Sequence, residues 1–123
     1  MQSVAPLQAF VDRLTARNFD ELVRVFAPAA AARFLLPRRV DEAVGSNAIA
    51  RRFEGWFGSA ENFTVLSQDV QPLGDRWLMR WRFRLSRDGS AIEVIEQLAF
   101  ADLGPAGIQR LDLLCSGFVP DPA

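Results

Sequence analysis

The chain has 123 residues, 50% of them hydrophobic and 24% charged, with 14 basic residues against 15 acidic ones and a formal net charge of -1. Such a composition excludes a disordered or membrane-spanning chain, and its near-zero charge gives no pull toward nucleic acid or anionic lipid. The length is that of one ordinary domain over residues 1–123, enough to bury a core without staples.

Residue types that are missing narrow the chemistry further. There is no His and no Tyr, so the commonest general base, the commonest transition-metal ligand and the phenolic donor are absent. Every basic residue is Arg, which rules out Schiff-base chemistry through Lys. Cys115 is the only cysteine, so no intrachain disulfide or thiolate zinc site can form. Its apolar neighbours favour a small core residue over a reactive thiol. No metal or cofactor is implied. The opening MQSVAPLQAF lacks the basic, apolar and small-residue order of a signal peptide, and no apolar run approaches the roughly 20 residues of a membrane helix, so the sequence predicts a cytoplasmic protein.

Taken in order, Val4, Leu7, Phe10, Val11 and Leu14 recur at helical spacing, with Pro6 in a first turn, and predict a helix to about Arg17. Asn18 followed by Glu21 resembles a capping box for a second helix, carrying Phe19, Leu22, Val23 and Phe26 and ended by Pro28. Residues 29–32 are ambiguous, Arg33 to Leu36 reads as a short strand closed by Pro37, and Arg38 to Val44 as a polar loop. Gly45-Ser46 supplies a turn and an N-cap for a third helix, with Ile49, Phe53, Trp56 and Phe57 on one stripe and Gly58 at its end.

Four strands follow. Phe63 to Gln71 turns through Gly74-Asp75 into the segment beginning at Trp77, pairing Val70 with Met79, Gln68 with Trp81, Asp69 with Arg80 and Leu66 with Phe83. In DRWLMRWRFRLS, Trp77, Met79, Trp81, Phe83 and Leu85 alternate with Leu78, Arg80, Arg82 and Arg84, the period of a strand with one buried face. With Asp88-Gly89 at the centre of the next turn, counting opposes Leu85 to Ile92, Phe83 to Val94, Trp81 to Glu96, Met79 to Leu98 and Trp77 to Phe100. After a turn at residues 104–107, the last strand, Ile108 to Phe118, sets Leu111, Leu113 and Cys115 beside Phe100, Leu98 and Glu96, and the tail PDPA frays.

That register places one carboxylate, Glu96, on an otherwise apolar face. Held among aromatics, it would have its pKa raised by desolvation and could act as a general acid or base; alternatively it is a structural carboxylate bonded to Gln68, Trp81 or Arg33. Gln68, Trp77, Met79, Trp81, Phe83, Leu98, Phe100, Leu113, Cys115 and Trp56 would line the surrounding space and suit a small hydrophobic ligand. On the other face Arg80, Arg82 and Arg84 meet Asp69, Glu93, Gln97 and Asp112, with Val65, Leu78, Ile95 and Leu114 between them. Balanced charge on a half-apolar sheet predicts a homodimer contact and no nucleic-acid patch.

The segments FVDRLTARNFDELVRVFAP, IARRFEGWFG and EQLAFADLGPAGIQRLDLLCSGF, in this order, resemble a nuclear transport factor 2-like domain of the SnoaL-like kind over essentially the whole chain. The resemblance implies an α+β cone with a cystatin-like fold, in which a strongly curved, mainly antiparallel sheet packs on three helices and a pocket opens at one end. It is a fold shared by ketosteroid isomerases, polyketide cyclases, scytalone dehydratase and limonene epoxide hydrolase, whose acid-base residues line that pocket. The isomerase Tyr and the dehydratase His and Tyr have no counterpart here, and of the epoxide hydrolase set only Glu96 has a matching position. A small-molecule-binding protein with isomerase-, cyclase- or dehydratase-type proton transfer on Glu96 is the expectation; a non-catalytic dimerisation or ligand-sensing module is the alternative.

Overall fold

The computed structural model describes residues 4–87 and 89–121. Helix α1 spans Ala5–Thr15, with Pro6 in its first turn and Leu7, Phe10, Val11 and Leu14 on its buried stripe. It stops in a reversal built by Arg17 at φ 55°, where Arg17 N–H bonds the Leu14 carbonyl and Asn18 N–H the Arg13 carbonyl. The Asn18 side chain then accepts from the Glu21 N–H and starts α2, Phe19–Leu22, which tightens into a 3-10 turn at Val23–Val25.

From there the chain enters a strand sooner than expected. β1 runs Phe26–Leu36 and β2 runs Arg39–Val44, so the expected four-residue strand is eleven residues long and the expected polar loop is its hairpin partner. Pro28 sits in β1 before the paired stretch resumes at Ala31, a place where its missing N–H costs nothing. Helix α3, Ser46–Phe57, has Gly45 and not Ser46 at its N-cap, with φ 102° and no side-chain cap. Ile49, Ala50, Phe53 and Phe57 are its buried stripe.

Strands β3 Glu61–Leu73, β4 Arg76–Ser86, β5 Glu93–Gly104, β6 Gly107–Cys115 and β7 Val119–Pro120 complete the chain. The sheet order is β2-β1-β6-β5-β4-β3, with β7 also on β5; β1 and β6 are parallel and all other pairs antiparallel. The three helices cover one face, giving the α+β architecture read from the sequence. Phe10 of α1 lies 5.4 Å from Trp81 and 5.5 Å from Phe53, and Phe57 of α3 lies 5.2 Å from Phe83. These ring contacts, all off-parallel, lock both helices to the centre of β4.

The β3–β4 register agrees with the count for Val70–Met79, Gln68–Trp81 and Asp69–Arg80, but a bulge at Leu66 brings Val65 rather than Leu66 opposite Phe83. The β4–β5 register differs throughout. Leu85 opposes Glu93, Phe83 Ile95, Trp81 Gln97, Met79 Ala99 and Trp77 Ala101. The turn itself is where it was read: Ser90 N–H bonds the Arg87 carbonyl at 2.8 Å, and Gly89 takes φ 75°, while Asp88 lies outside the described residues. One extra residue between Ser90 and Glu93 then offsets the ladder. The offset carries to β6, where Gln97 opposes Cys115 and Ala99 opposes Leu113.

Energetics explains the choice of register. The counted pairing buries an ionised Glu96 in an apolar face, a penalty of several kcal/mol. The observed one buries Ile95, Gln97, Ala99 and Ala101, the two alanines leaving room for the helix aromatics. The last strand also breaks earlier than expected. Gly117, at φ 80°, turns Phe118 toward Phe57, and a Cβ there would come within 2.7 Å of the Pro37 ring. Pro120 pairs with Glu93 and Asp121 bonds Arg84 at 2.7 Å, so the tail is held through residue 121.

Candidate functional site

The inner face of the sheet is closed. Met79, Trp81, Phe83, Leu85, Gln97, Ala99 and Ala101 all have 0% exposure. Its polar centre is Gln97: Trp81 Nε1 donates to Gln97 Oε1 at 2.8 Å, and Gln97 Nε2 donates to Cys115 Sγ at 3.3 Å. Gly117 N–H is a second donor to the same sulfur at 3.3 Å. No buried side-chain nitrogen or oxygen among the described residues lacks a partner, so this is a satisfied network with no group left over for a ligand. Phe34 and Phe53 fill the space under α3, and half-buried Trp56 meets them edge-on at 5.4 and 5.3 Å.

Glu96 is on the other side. Its carboxylate is 52% exposed and 3.7 Å from the Arg82 guanidinium, its neighbour on β4, which corrects the expected inward acid. Leu98 and Phe100 move to the outer face with it, by the same one-residue offset. Gln68 keeps its place opposite Trp81 but is exposed, in a shallow polar recess with Gln8, Val11, Asp69 and Val70. Met79, Trp81, Phe83, Leu113 and Cys115 are core, and Trp77 is half-buried. The residues expected to surround one carboxylate are therefore divided between two faces, and Gln97, which was assigned to the outer one, takes the inner position.

The outer face carries the open concavities. Strand registers lay its side chains out in rows. Val40, Leu35, Leu114 and Leu98 stand side by side across β2, β1, β6 and β5. The adjacent row is Glu42, Arg33, Asp112, Phe100 and Leu78. Leu35 and Val40 are 49% exposed and Leu114 47%, a run of exposed aliphatic surface that reaches from the edge strand β2 inward to β6. Between the rows lies a groove of ≈ 440 Å³ lined by Arg33, Leu35, Val40, Phe100, Asp112, Leu113 and Leu114. It continues past Leu98 and Leu114 to Glu96 and Ser116, where a more charged hollow holds Arg82, Arg84 and Asp121.

Ion pairs frame the groove on one side. Arg76 reaches from β4 to Asp102 on β5 and Asp112 on β6, each at 2.7 Å, and lies 5.8 Å from the Phe100 ring centre. Arg110 bonds the second oxygen of Asp112 at 2.9 Å. Partial burial acts to raise the Asp112 carboxyl, but the hydrogen bonds from Arg110 and Arg76 outweigh it and hold the group below the usual carboxylate range. The Arg33 side chain, at the opposite side, forms no hydrogen bond or ion pair among the described residues. Val40 was missed at the sequence level because it was read as loop. Its alternation with Asp41 and Ala43 was the available signal.

No group of three or more His, Cys, Asp and Glu among the described residues is placed to hold a metal ion. No helix among them is long and apolar enough to cross a membrane.

Comparisons with known proteins point one way. Residues 7–104 match the family model of the SnoaL-like domain. No curated protein sequence matches the chain. Among solved structures, a candidate polyketide cyclase from Xanthomonas campestris pv. campestris superposes with a TM-score of 0.69 at 16% identity, covering 90% of this chain and 87% of that one. An uncharacterised cystatin-fold protein from Novosphingobium aromaticivorans gives 0.70 at 18% identity, with 92% and 97% covered. A protein of ketosteroid isomerase-like fold from Catenulispora acidiphila, solved in complex with trimethylamine, gives 0.70 at 13% identity, with 91% and 85% covered. At such identities the likeness is one of fold.

Proposed function

We propose, for a chain that belongs to the SnoaL-like domain family, a binding module that takes a small apolar molecule in the groove on the outer face of its sheet. The observation that carries this reading is the ≈ 440 Å³ concavity floored by Leu35, Val40, Phe100 and Leu114. Its volume falls in the range of about 300–1,000 Å³ typical of small-molecule sites. The interior supports it by contrast, since the inward side chains from Met79 to Leu85 on β4 and from Ile95 to Ala101 on β5 are enclosed and their polar groups already paired. The reading assigns no reaction. Glu96 is half exposed beside Arg82 and lacks the apolar enclosure that general acid-base work on it would need.

Methyl-resolved NMR with 1-decanol as a neutral apolar probe tests the site. Shifts confined to the Leu35, Val40 and Leu114 methyls, abolished by Leu114→Glu, are the expected result. Shifts centred instead on Leu36 and on the rings of Trp56 and Phe118, or none at all, refute it.

A second reading rests on the length of the aliphatic row. Val40, Leu35, Leu114 and Leu98 extend beyond the groove and are rimmed by charges of both signs, which suits an isologous contact with a second copy of the chain. Sedimentation equilibrium tests it: a dimer that Leu98→Asp converts to monomer supports this contact, and a wild-type monomer at high protein concentration removes it.

A further inference from the structure

We infer that the molecule held in the outer groove is an amphipathic anion, with its apolar body on Leu35, Val40, Phe100 and Leu114 and its carboxylate on Arg33. The inference rests on the groove reading above and adds the charge of the ligand.

Two charged side chains line the groove, and they are not equivalent. Asp112 is committed: Oδ2 accepts from Arg76 at 2.7 Å and Oδ1 from Arg110 at 2.9 Å. Arg76 is committed in turn, with Asp102 on its Nε at 2.7 Å. Within this cluster two guanidiniums face two carboxylates, and none of the four is left to neutralise Arg33.

On the β1–β2 hairpin Arg33 itself is unpaired: its side chain forms no hydrogen bond or ion pair among the described residues, whereas Arg39, opposite Leu36, lies on the other face of the hairpin. Of the two acids on the same hairpin, Asp41 is taken by Arg52 of α3. Glu42 is left, opposite Arg33 in the register but beyond ion-pair distance. Arg33 is thus the guanidinium of the groove lining whose donors are unengaged, next to half-exposed aliphatic side chains. A guanidinium with free donors on the edge of an apolar cleft recognises a carboxylate by paired N–H bonds. A neutral ligand of the same shape leaves that capacity unused.

Calorimetric titration of the whole chain with decanoate and with 1-decanol at low ionic strength separates the possibilities. The expected result is decanoate binding at least about ten-fold tighter than 1-decanol, with Arg33→Gln removing that advantage and leaving 1-decanol unchanged. Glu42→Gln should strengthen decanoate binding, and added salt should weaken it. Both substitutions replace exposed side chains, and unchanged circular dichroism of the variants checks their fold. Equal binding of the two probes overturns the anion assignment while the apolar groove stands. Decanoate binding that survives Arg33→Gln at full strength also overturns it. If neither probe binds, the groove reading falls as well.

Discussion

The indole N–H of Trp81 points at the side-chain oxygen of Gln97 across the β4–β5 ladder, 2.8 Å away, with both residues wholly enclosed. Neutral groups thus form the polar centre of the core. Replacing Gln97 with Leu strands a buried donor on Trp81 and should cost about 1–3 kcal/mol in urea unfolding. Gln97→Glu is the sharper test. An enclosed carboxylate has its pKa raised, so the folded form keeps its proton better than the unfolded one, and the penalty grows as pH rises above the ordinary carboxyl value of about 4.3. The variant should lose more stability at pH 8 than at pH 5, whereas a pH-independent loss would mean that water reaches position 97.

Glu96 should behave as a surface residue. Its contact with Arg82 is 3.7 Å long and both side chains are about half exposed, so Glu96→Gln should change stability by less than about 1 kcal/mol. A loss above about 2 kcal/mol would indicate that the carboxylate is enclosed and that the pairing of β4 with β5 differs from the one described.

Arg17 joins two helix ends. Its backbone takes a positive φ to terminate α1, while its guanidinium donates to the carbonyl of Phe57, the last residue of α3, at 3.4 Å and to that of Ala60 beyond it at 2.7 Å, and lies 4.9 Å from the Phe63 ring centre. Arg17→Ala loses the clasp and keeps the backbone strain; Arg17→Gly loses the clasp and relieves it. Thermal unfolding should rank wild type above Gly and Gly above Ala, the last two separated by about 1 kcal/mol. Equal stability of all three would deny the clasp any weight.

Asp112 predicts a pH dependence of definite sign. Its carboxyl titrates lower in the fold than in the unfolded chain, so its contribution is present above the ordinary carboxyl value and fades as pH falls through the folded one. Asp112→Asn should therefore destabilise near pH 7, where Arg76 and Arg110 lose their shared acceptor, and approach neutrality near pH 2. Denaturant midpoints for both proteins across that range provide the measurement, and curves that stay parallel down to pH 2 would refute the assignment.

The sequence conveyed the fold better than the faces. Period and punctuation sufficed for α1, for the stripe of α3, and for the β3–β4 register from Gln68 to Val70, because each is set by local pattern and turn chemistry. β2 was hidden because Arg39, Asp41 and Glu42 are polar, and what makes them strand is pairing with β1, a tertiary effect that no propensity records. The reading of β5 failed on a single residue. Turn position was inferred correctly, but a ladder registers every residue between turn and strand, and the segment at residues 90–92, outside the β4–β5 ladder, carries no periodic signature. With that offset went the assignment of Glu96, Leu98 and Phe100, and with it the expectation of an internal acid.

The spacing between Gly89 and Glu93 therefore acts as a selector for which chemistry a whole strand shows to water. Removing one residue there would turn β5 inside out, forcing Glu96, Leu98 and Phe100 against the helix aromatics in place of a glutamine and two alanines. A loop with no buried side chain of its own is thus as intolerant of deletion as the core is of substitution, and lineages that differ by one residue at this point would carry their binding groups on opposite sides of the same sheet.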